Sequence, residues 1–172
     1  MKRIAVYPGS FDPVTLGHLD IIKRGSCVFD EIIVAVLNNS SRHPLFSVSE
    51  RKAMLTAATC HLDHVRIDSF NGPFVDYMID NGLSVILRGL REIADFEYEM
   101  KSAWVNKYLD HHIETCFMIS VNPSASLSSG AVKKIAQHGG DASGLVPEVA
   151  DRFLKKILCT EKEKMLLKKG GD

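Results

Sequence analysis

Five short runs rich in Val and Ile alternate along this chain with helix-like segments, and the alternation narrows the fold more than any other property. The runs are Ile4–Tyr7, Glu31–Leu37, Val65–Phe70, Ser84–Leu87 and Thr115–Ser120. They are mostly apolar on both faces, as strands inside a parallel sheet are. Between them lie helical segments at roughly Gly17–Phe29, Ser47–Cys60, Pro73–Asn81 and Ile93–Leu109. Parallel strands need crossovers of this length, which predicts a Rossmann-like, doubly wound α/β fold. The expected sheet has five strands with helices on both faces. Two further helices, Ser129–Gln137 and Val146–Leu158, predict a helical C-terminus. Ser47 and Glu50 have capping-box spacing, His138-Gly139-Gly140 suits a C-cap, and Pro147 suits a first helical turn. No internal repeat or linker interrupts the chain, so one domain over residues 1–158 is expected, followed by a Lys/Glu-rich tail at 159–172.

Composition removes several function classes. Lys+Arg and Asp+Glu are equal at 21 each, which argues against a nucleic-acid partner. The cysteines, Cys27, Cys60, Cys116 and Cys159, form no Cys-x-x-Cys and read mainly as small core hydrophobes. His111-His112 and the pair His61 and His64 have no acidic or Cys partner at ligand spacing and read as surface histidines, so no metal ligands are assigned. The chain opens on a strand without the apolar core of a signal peptide, and no run reaches membrane-spanning length. A cytoplasmic protein without a membrane partner is expected.

In an open α/β sheet, ligands bind beyond the carboxyl ends of the strands. Pro8-Gly9-Ser10-Phe11-Asp12-Pro13 and then Thr15-Leu16-Gly17-His18 follow the first strand; a segment holding Arg42 follows the second, and Asn71-Gly72-Pro73-Phe74 the third. Arg88-Gly89-Leu90-Arg91 follows the fourth strand, and a serine-rich loop from Asn122 to Gly130 follows the fifth. One edge thus collects a helix-start His, three Arg and several hydroxyls, which is the inventory of a phosphate site. Taken singly, each has a plainer reading. Gly9 and Gly17 suit ordinary turns, His18 a half-buried helix start, and Glu99 a solvated pair with nearby lysines. Arg88 differs, because a charge ending an apolar strand calls for a partner. The helical spacing of Phe96, Met100, Ala103 and Trp104 suits core or subunit packing.

Five of these segments together resemble bacterial phosphopantetheine adenylyltransferases, a family of the nucleotidyltransferase superfamily marked by (H/T)-x-G-H. They are Tyr7-Pro-Gly-Ser-Phe-Asp-Pro, Thr15-x-Gly-His18, Arg88-Gly-Leu-Arg91, Asp95-Phe-Glu-Tyr-Glu-Met100 and Ser128-Ser129. The resemblance implies transfer of the adenylyl group of ATP to 4'-phosphopantetheine, giving dephospho-CoA and pyrophosphate in coenzyme A synthesis. It also implies magnesium, a homohexamer, and CoA as the candidate feedback inhibitor. By the same resemblance, Ser10, Arg42, Phe74 and Arg88 face phosphopantetheine. ATP would meet Ser10, Phe11, His18, Gly89, Leu90, Arg91, Glu99 and the stretch Ser124, Ala125, Ser126, Leu127, Ser128, Ser129 and Gly130. His18, Arg42 and Arg88 are the expected catalytic set. The family usually carries Thr at position 10, Lys at 42, an aromatic in the 124–130 loop and a third serine at 130; this chain has Ser10, Arg42, no aromatic there and Gly130.

The chemistry implied needs little acid–base help. A phosphate monoester with a second pKa of about 6 is already largely dianionic at neutral pH. The demand is to neutralise two anions and align them. No carboxylate cluster suggests a protein-built magnesium cage, so the ion is expected to arrive with ATP. Other nucleotidyltransferases, such as cytidylyltransferases and nicotinate-nucleotide adenylyltransferases, typically have His where this chain has Thr15, and lack the R-G-L-R and D-F-E-Y-E-M pair. A non-catalytic nucleotide-binding regulator would be expected to have lost His18 or an arginine.

Overall fold

The computed structural model describes residues 2–38, 44–120 and 127–157. Five parallel strands form one sheet in the order β3-β2-β1-β4-β5. They are β1 (Ile4–Gly9), β2 (Glu31–Leu37), β3 (Val65–Phe70), β4 (Val85–Leu90) and β5 (Glu114–Ile119). The connecting helices are α1 (Leu16–Gly25), α2 (Val48–Thr59), α3 (Phe74–Asp80) and α4 (Ile93–Leu109), with α5 (Ser129–Gln137) and a last helix over 148–157 after the sheet.

Alternation along the central strands sorts the core into two layers. Ala5 and Tyr7 of β1 and Ile32, Val34 and Val36 of β2 pack with Ile21 and Ile22 of α1, Met54 and Leu55 of α2, Val132 of α5 and Leu154 of the last helix. The intervening Val6, Ile33 and Ala35 pack on the opposite face with Val75 and Met78 of α3. The edge strands β3 and β5 are only half-buried, so the two-faced apolar character expected of every run holds best at the centre.

Local signals set most boundaries. Ser47 Oγ accepts from the Glu50 N–H, and the Glu50 carboxylate accepts from the Ser47 N–H at 2.9 Å, a closed capping box. At the end of α5, Gly139 has φ 80°; its N–H donates to Ala136 O, and the Gly140 N–H to Ile135 O, both at 2.9 Å. That is a Schellman stop. Pro147 stands just before the last helix, its carbonyl accepting from Ala150 and Asp151 N–H.

Three boundaries differ from expectation. β4 runs through Arg88, Gly89 and Leu90, because these residues pair with Phe117, Met118 and Ile119 of β5. Likewise β1 continues through Pro8 and Gly9 opposite Ala35 and Val36. α1 stops at Gly25, where a side chain would meet Leu87 at 2.9 Å, and Ser26 Oγ bonds back to Lys23 O. The cysteine expectation holds only in part: half-buried Cys116 packs against the core, whereas Cys27 and Cys60 are exposed just past the ends of α1 and α2. α4 has no buried residue, and Phe96 and Trp104 stand 41% and 66% exposed, which removes the core reading of its apolar spacing. Cys159 and the tail at 159–172 lie outside the described residues.

Candidate active site

The strand order reverses between β1 and β4, so α1 leaves the sheet on one face and α4 on the other. A crevice must open beyond the carboxyl ends of these two strands. A cavity of about 670 Å³ occupies that place. The register joins Val6 to Ile86. Two residues on, at Pro8, the β1 carbonyl accepts from the Arg88 guanidinium at 2.9 Å. A side chain of β4 thus fills the gap where the strands part.

Arg88 also meets Glu99 of α4 in a bidentate pair, Nε to Oε2 at 2.7 Å and Nη2 to Oε1. The plainer reading of Glu99, a solvated pair with lysines, does not hold. Arg91 has its own carboxylate on the same helix: its Nε and Nη2 donate to Asp95 at 2.8 and 2.9 Å. Those bonds raise the Arg91 pKa above its ordinary value, against the effect of burial. The R-G-L-R and D-F-E-Y-E-M segments are therefore one structural unit, with two cations preset by two carboxylates. A guanidinium has five N–H donors, so both arginines keep some to offer the cavity.

The opposite wall is the start of α1. Thr15 is its N-cap: Thr15 Oγ1 accepts from the His18 N–H at 3.3 Å, and the Thr15 N–H donates to His18 Nδ1 at 3.1 Å. His18 so plays the reciprocal capping role usually taken by Glu or Gln. Accepting at Nδ1 places the ring proton on Nε2, leaving His18 a neutral donor. Burial, then Arg91 and Arg88, lower the His18 pKa to about 4. Two guanidinium groups and desolvation thus disfavour the imidazolium. The ring is held edge-on by Phe11 at 5.0 Å and Tyr7 at 6.3 Å between centroids.

Close approach makes two glycines necessary. A Cβ at Gly89 would sit 2.9 Å from Ile21 of α1, and one at Gly9 would sit 3.0 Å from the Phe11 ring. Phe11 itself is buried with φ 48°, a strained conformation for a residue with a side chain.

Sequence reading missed the residues that hold this edge together. Arg51 of α2 is 1% exposed, and it donates to Phe46 O, Ser10 O and Leu37 O at 3.0, 2.7 and 2.9 Å. It ties the end of β2, the loop after β1 and the start of α2. Burial depresses its pKa, with Asp12 opposing. Buried Asp12 accepts from Leu45 and Phe46 N–H and from Lys133 of α5 at 2.5 Å. Asp12 lies in the Tyr7–Pro13 segment, where sequence reading gives it no role, and Arg51 shows no sequence pattern, sitting between Glu50 and Lys52 like any solvated helix charge.

Ser10, Phe11, His18, Phe74, Arg88, Gly89, Arg91, Glu99, Leu127, Ser128, Ser129 and Gly130 all line the cavity. Leu90 does not; it is buried in the sheet, and its carbonyl accepts from the Ser120 N–H. Ser129 Oγ donates to Pro13 O at 2.8 Å. Arg42, Ser124, Ala125 and Ser126 lie outside the described residues. His61 and His64 are exposed, as expected. The expectation that no acidic group joins His111 and His112 fails, because the turn after α4 folds Asp110 back onto them. Among the described residues no helix is long and apolar enough to cross a membrane.

A solved structure from Vibrio parahaemolyticus, described as a nicotinate-nucleotide adenylyltransferase, superposes with a TM-score of 0.66 at 14% identity. The match covers 90% of this chain and 99% of that one, and at such low identity it speaks for the fold alone. The sequence itself matches the family model for cytidylyltransferase-like proteins over residues 6–135, a span that holds the sheet, the His18 capping box and both arginine–carboxylate pairs. By that match the chain is a member of the cytidylyltransferase-like family of nucleotidyltransferases.

Proposed function

We propose that this nucleotidyltransferase adenylylates 4'-phosphopantetheine with MgATP, forming dephospho-CoA and pyrophosphate. One observation carries the reading. Arg88 and Arg91 are each bound to a carboxylate of α4, which locks R-G-L-R to D-F-E-Y-E-M across the cavity from a Thr15-capped His18. That combination is the one by which the sequence resembles phosphopantetheine adenylyltransferases rather than their H-x-G-H relatives.

In this reading an oxygen of the substrate phosphate forms a bond to the α-phosphorus of ATP as the bond to the β-phosphate bridging oxygen breaks. The nucleophile is already a dianion, so no side chain has to take a proton. Arg88 and Arg42 hold the nucleophilic phosphate; Arg91 and Ser129 hold the departing pyrophosphate. His18 Nε2–H and the N-terminus of α1 face the charge that develops at the α-phosphate. Asp12 and Glu99, the carboxylates on the cavity wall, are committed to Lys133 and Arg88, which suits a magnesium ion carried on the phosphates of ATP. The Phe70, Phe74 and Tyr77 rings, 5.2–6.2 Å apart, offer an apolar wall to the uncharged arm of the substrate. The bare face of α4 supports assembly of several copies, a homohexamer by resemblance.

The test is to supply the purified protein with MgATP and each of 4'-phosphopantetheine and nicotinate mononucleotide. Pyrophosphate and dephospho-CoA are expected from the first mixture only. Turnover with nicotinate mononucleotide alone overturns the assignment.

A further inference from the structure

Beyond the cavity, α4 ends in Asp110-His111-His112, and the three side chains converge. Asp110 is the C-cap, its N–H bound to Asn106 O at 2.9 Å. Its Oδ1 accepts from the His112 N–H at 2.9 Å and lies 3.0 Å from His112 Nδ1. The two imidazole centroids are 3.8 Å apart. One ligand atom from each of the three residues lies within 4.8 Å of the other two. The carboxylate is largely covered and held by backbone, while the His112 ring is 73% exposed and open to solvent.

One carboxylate and two imidazoles form the donor set of borderline divalent transition metals rather than of magnesium or calcium, which prefer oxygen alone. Bonds of about 2.0–2.1 Å to such an ion place neighbouring ligands about 3 Å apart. Asp110 Oδ1 and His112 Nδ1 already stand at that separation, so an ion can replace the proton shared between them. The carbonyl end of the 17-residue α4 adds partial negative charge at the same place. Nearby, Lys107 is matched by Glu114 at 2.9 Å, which leaves the Asp110 charge locally uncompensated by that lysine. The turn lies before the first residue of six-residue β5, where Asn106 and Thr115 mark the near end of the cavity, while Ser120 follows the far end of that strand roughly 20 Å away.

We propose that Asp110, His111 and His112 bind one divalent transition-metal ion, of the zinc or nickel class, with water in the remaining coordination positions. This site is separate from the MgATP site and does not depend on the identity of the adenylyl acceptor.

Untagged, EDTA-stripped protein titrated calorimetrically with ZnCl2 and with NiCl2 tests it. A single-site isotherm is expected, weakened roughly tenfold or more in Asp110→Asn and in His112→Gln, with a metal-dependent rise in Tm confined to the wild type. Substoichiometric Ni2+ should broaden the ring signals of His111 and His112 in an NMR spectrum before those of His61, His64 and His138. The proposal is overturned by variants that titrate like the wild type, by absence of binding at millimolar metal, or by prior broadening at another histidine. The NMR arm needs no variant and stands even if a substitution perturbs folding.

Discussion

A half-buried imidazole beside two guanidinium groups stays neutral at neutral pH, and His18 therefore works as a hydrogen-bond donor without a charge of its own. In the free protein its NMR titration should show a pKa of about 4, with the proton on Nε2 above it; a midpoint near the ordinary 6.5 would contradict the geometry. The folded pKa lies below the unfolded one, so the unfolded chain takes the proton first. Wild-type stability, measured relative to His18→Gln by urea unfolding, should fall as pH drops from about 6.5 towards 4. Removing the donor with His18→Ala should lower kcat by roughly 10²–10³ while KM values change far less. A loss confined to KM would make His18 a ground-state binding group. His18 was legible because Thr, Gly and His at fixed offsets form a pattern. Arg51 was not, since only the tertiary structure turns an ordinary helix charge inward. Arg51→Met leaves three carbonyls, one buried and two part-buried, without their donor. It should cost about 3 kcal/mol in denaturant unfolding, against well under 1 for Lys52→Met on the solvent side.

Among the elements, α4 does the most for the site without belonging to the core. It delivers Asp95 and Glu99 to Arg91 and Arg88, four residues apart, one helical turn, so both carboxylates face the same strand end. Glu99→Gln keeps the shape but sets an amide NH2 against a guanidinium. The acceptor kcat/KM should fall about tenfold, roughly 1.4 kcal/mol of lost alignment, with little change in Tm. An unchanged kcat/KM would mean that Arg88 holds its position through Pro8 alone. Capped helix ends were read well from sequence because caps are local: Ser47 with Glu50, and Gly139 after α5, act within a few residues, whereas the end of α1 was read four residues too long. The ends of β1 and β4 were read short, since Pro8, Gly9, Arg88 and Gly89 look like turn residues until a neighbouring strand pairs with them.

At the scale of the whole molecule, the five-stranded parallel sheet with helices on both faces followed from the alternation of strands and helices, but the sequence left the apolar stripe of α4 open between core and subunit face. The fold decides against the core: Ile93, Trp104, Val105, Tyr108 and Leu109 are 81, 66, 57, 91 and 61% exposed. An exposed apolar surface of that kind marks an interaction face, and we propose that other copies of the chain cover it. Light scattering should find a multiple of the 19.1 kDa chain mass, and Trp104→Glu should shift the population to smaller species. A monomeric wild type would refute the assembly. Trp104 is also the only tryptophan in the chain, and it stands outside both core layers. If copies of the chain meet on α4, the sole indole fluorophore registers company rather than folding: on dilution its emission should move to the red while the far-ultraviolet circular dichroism stays constant.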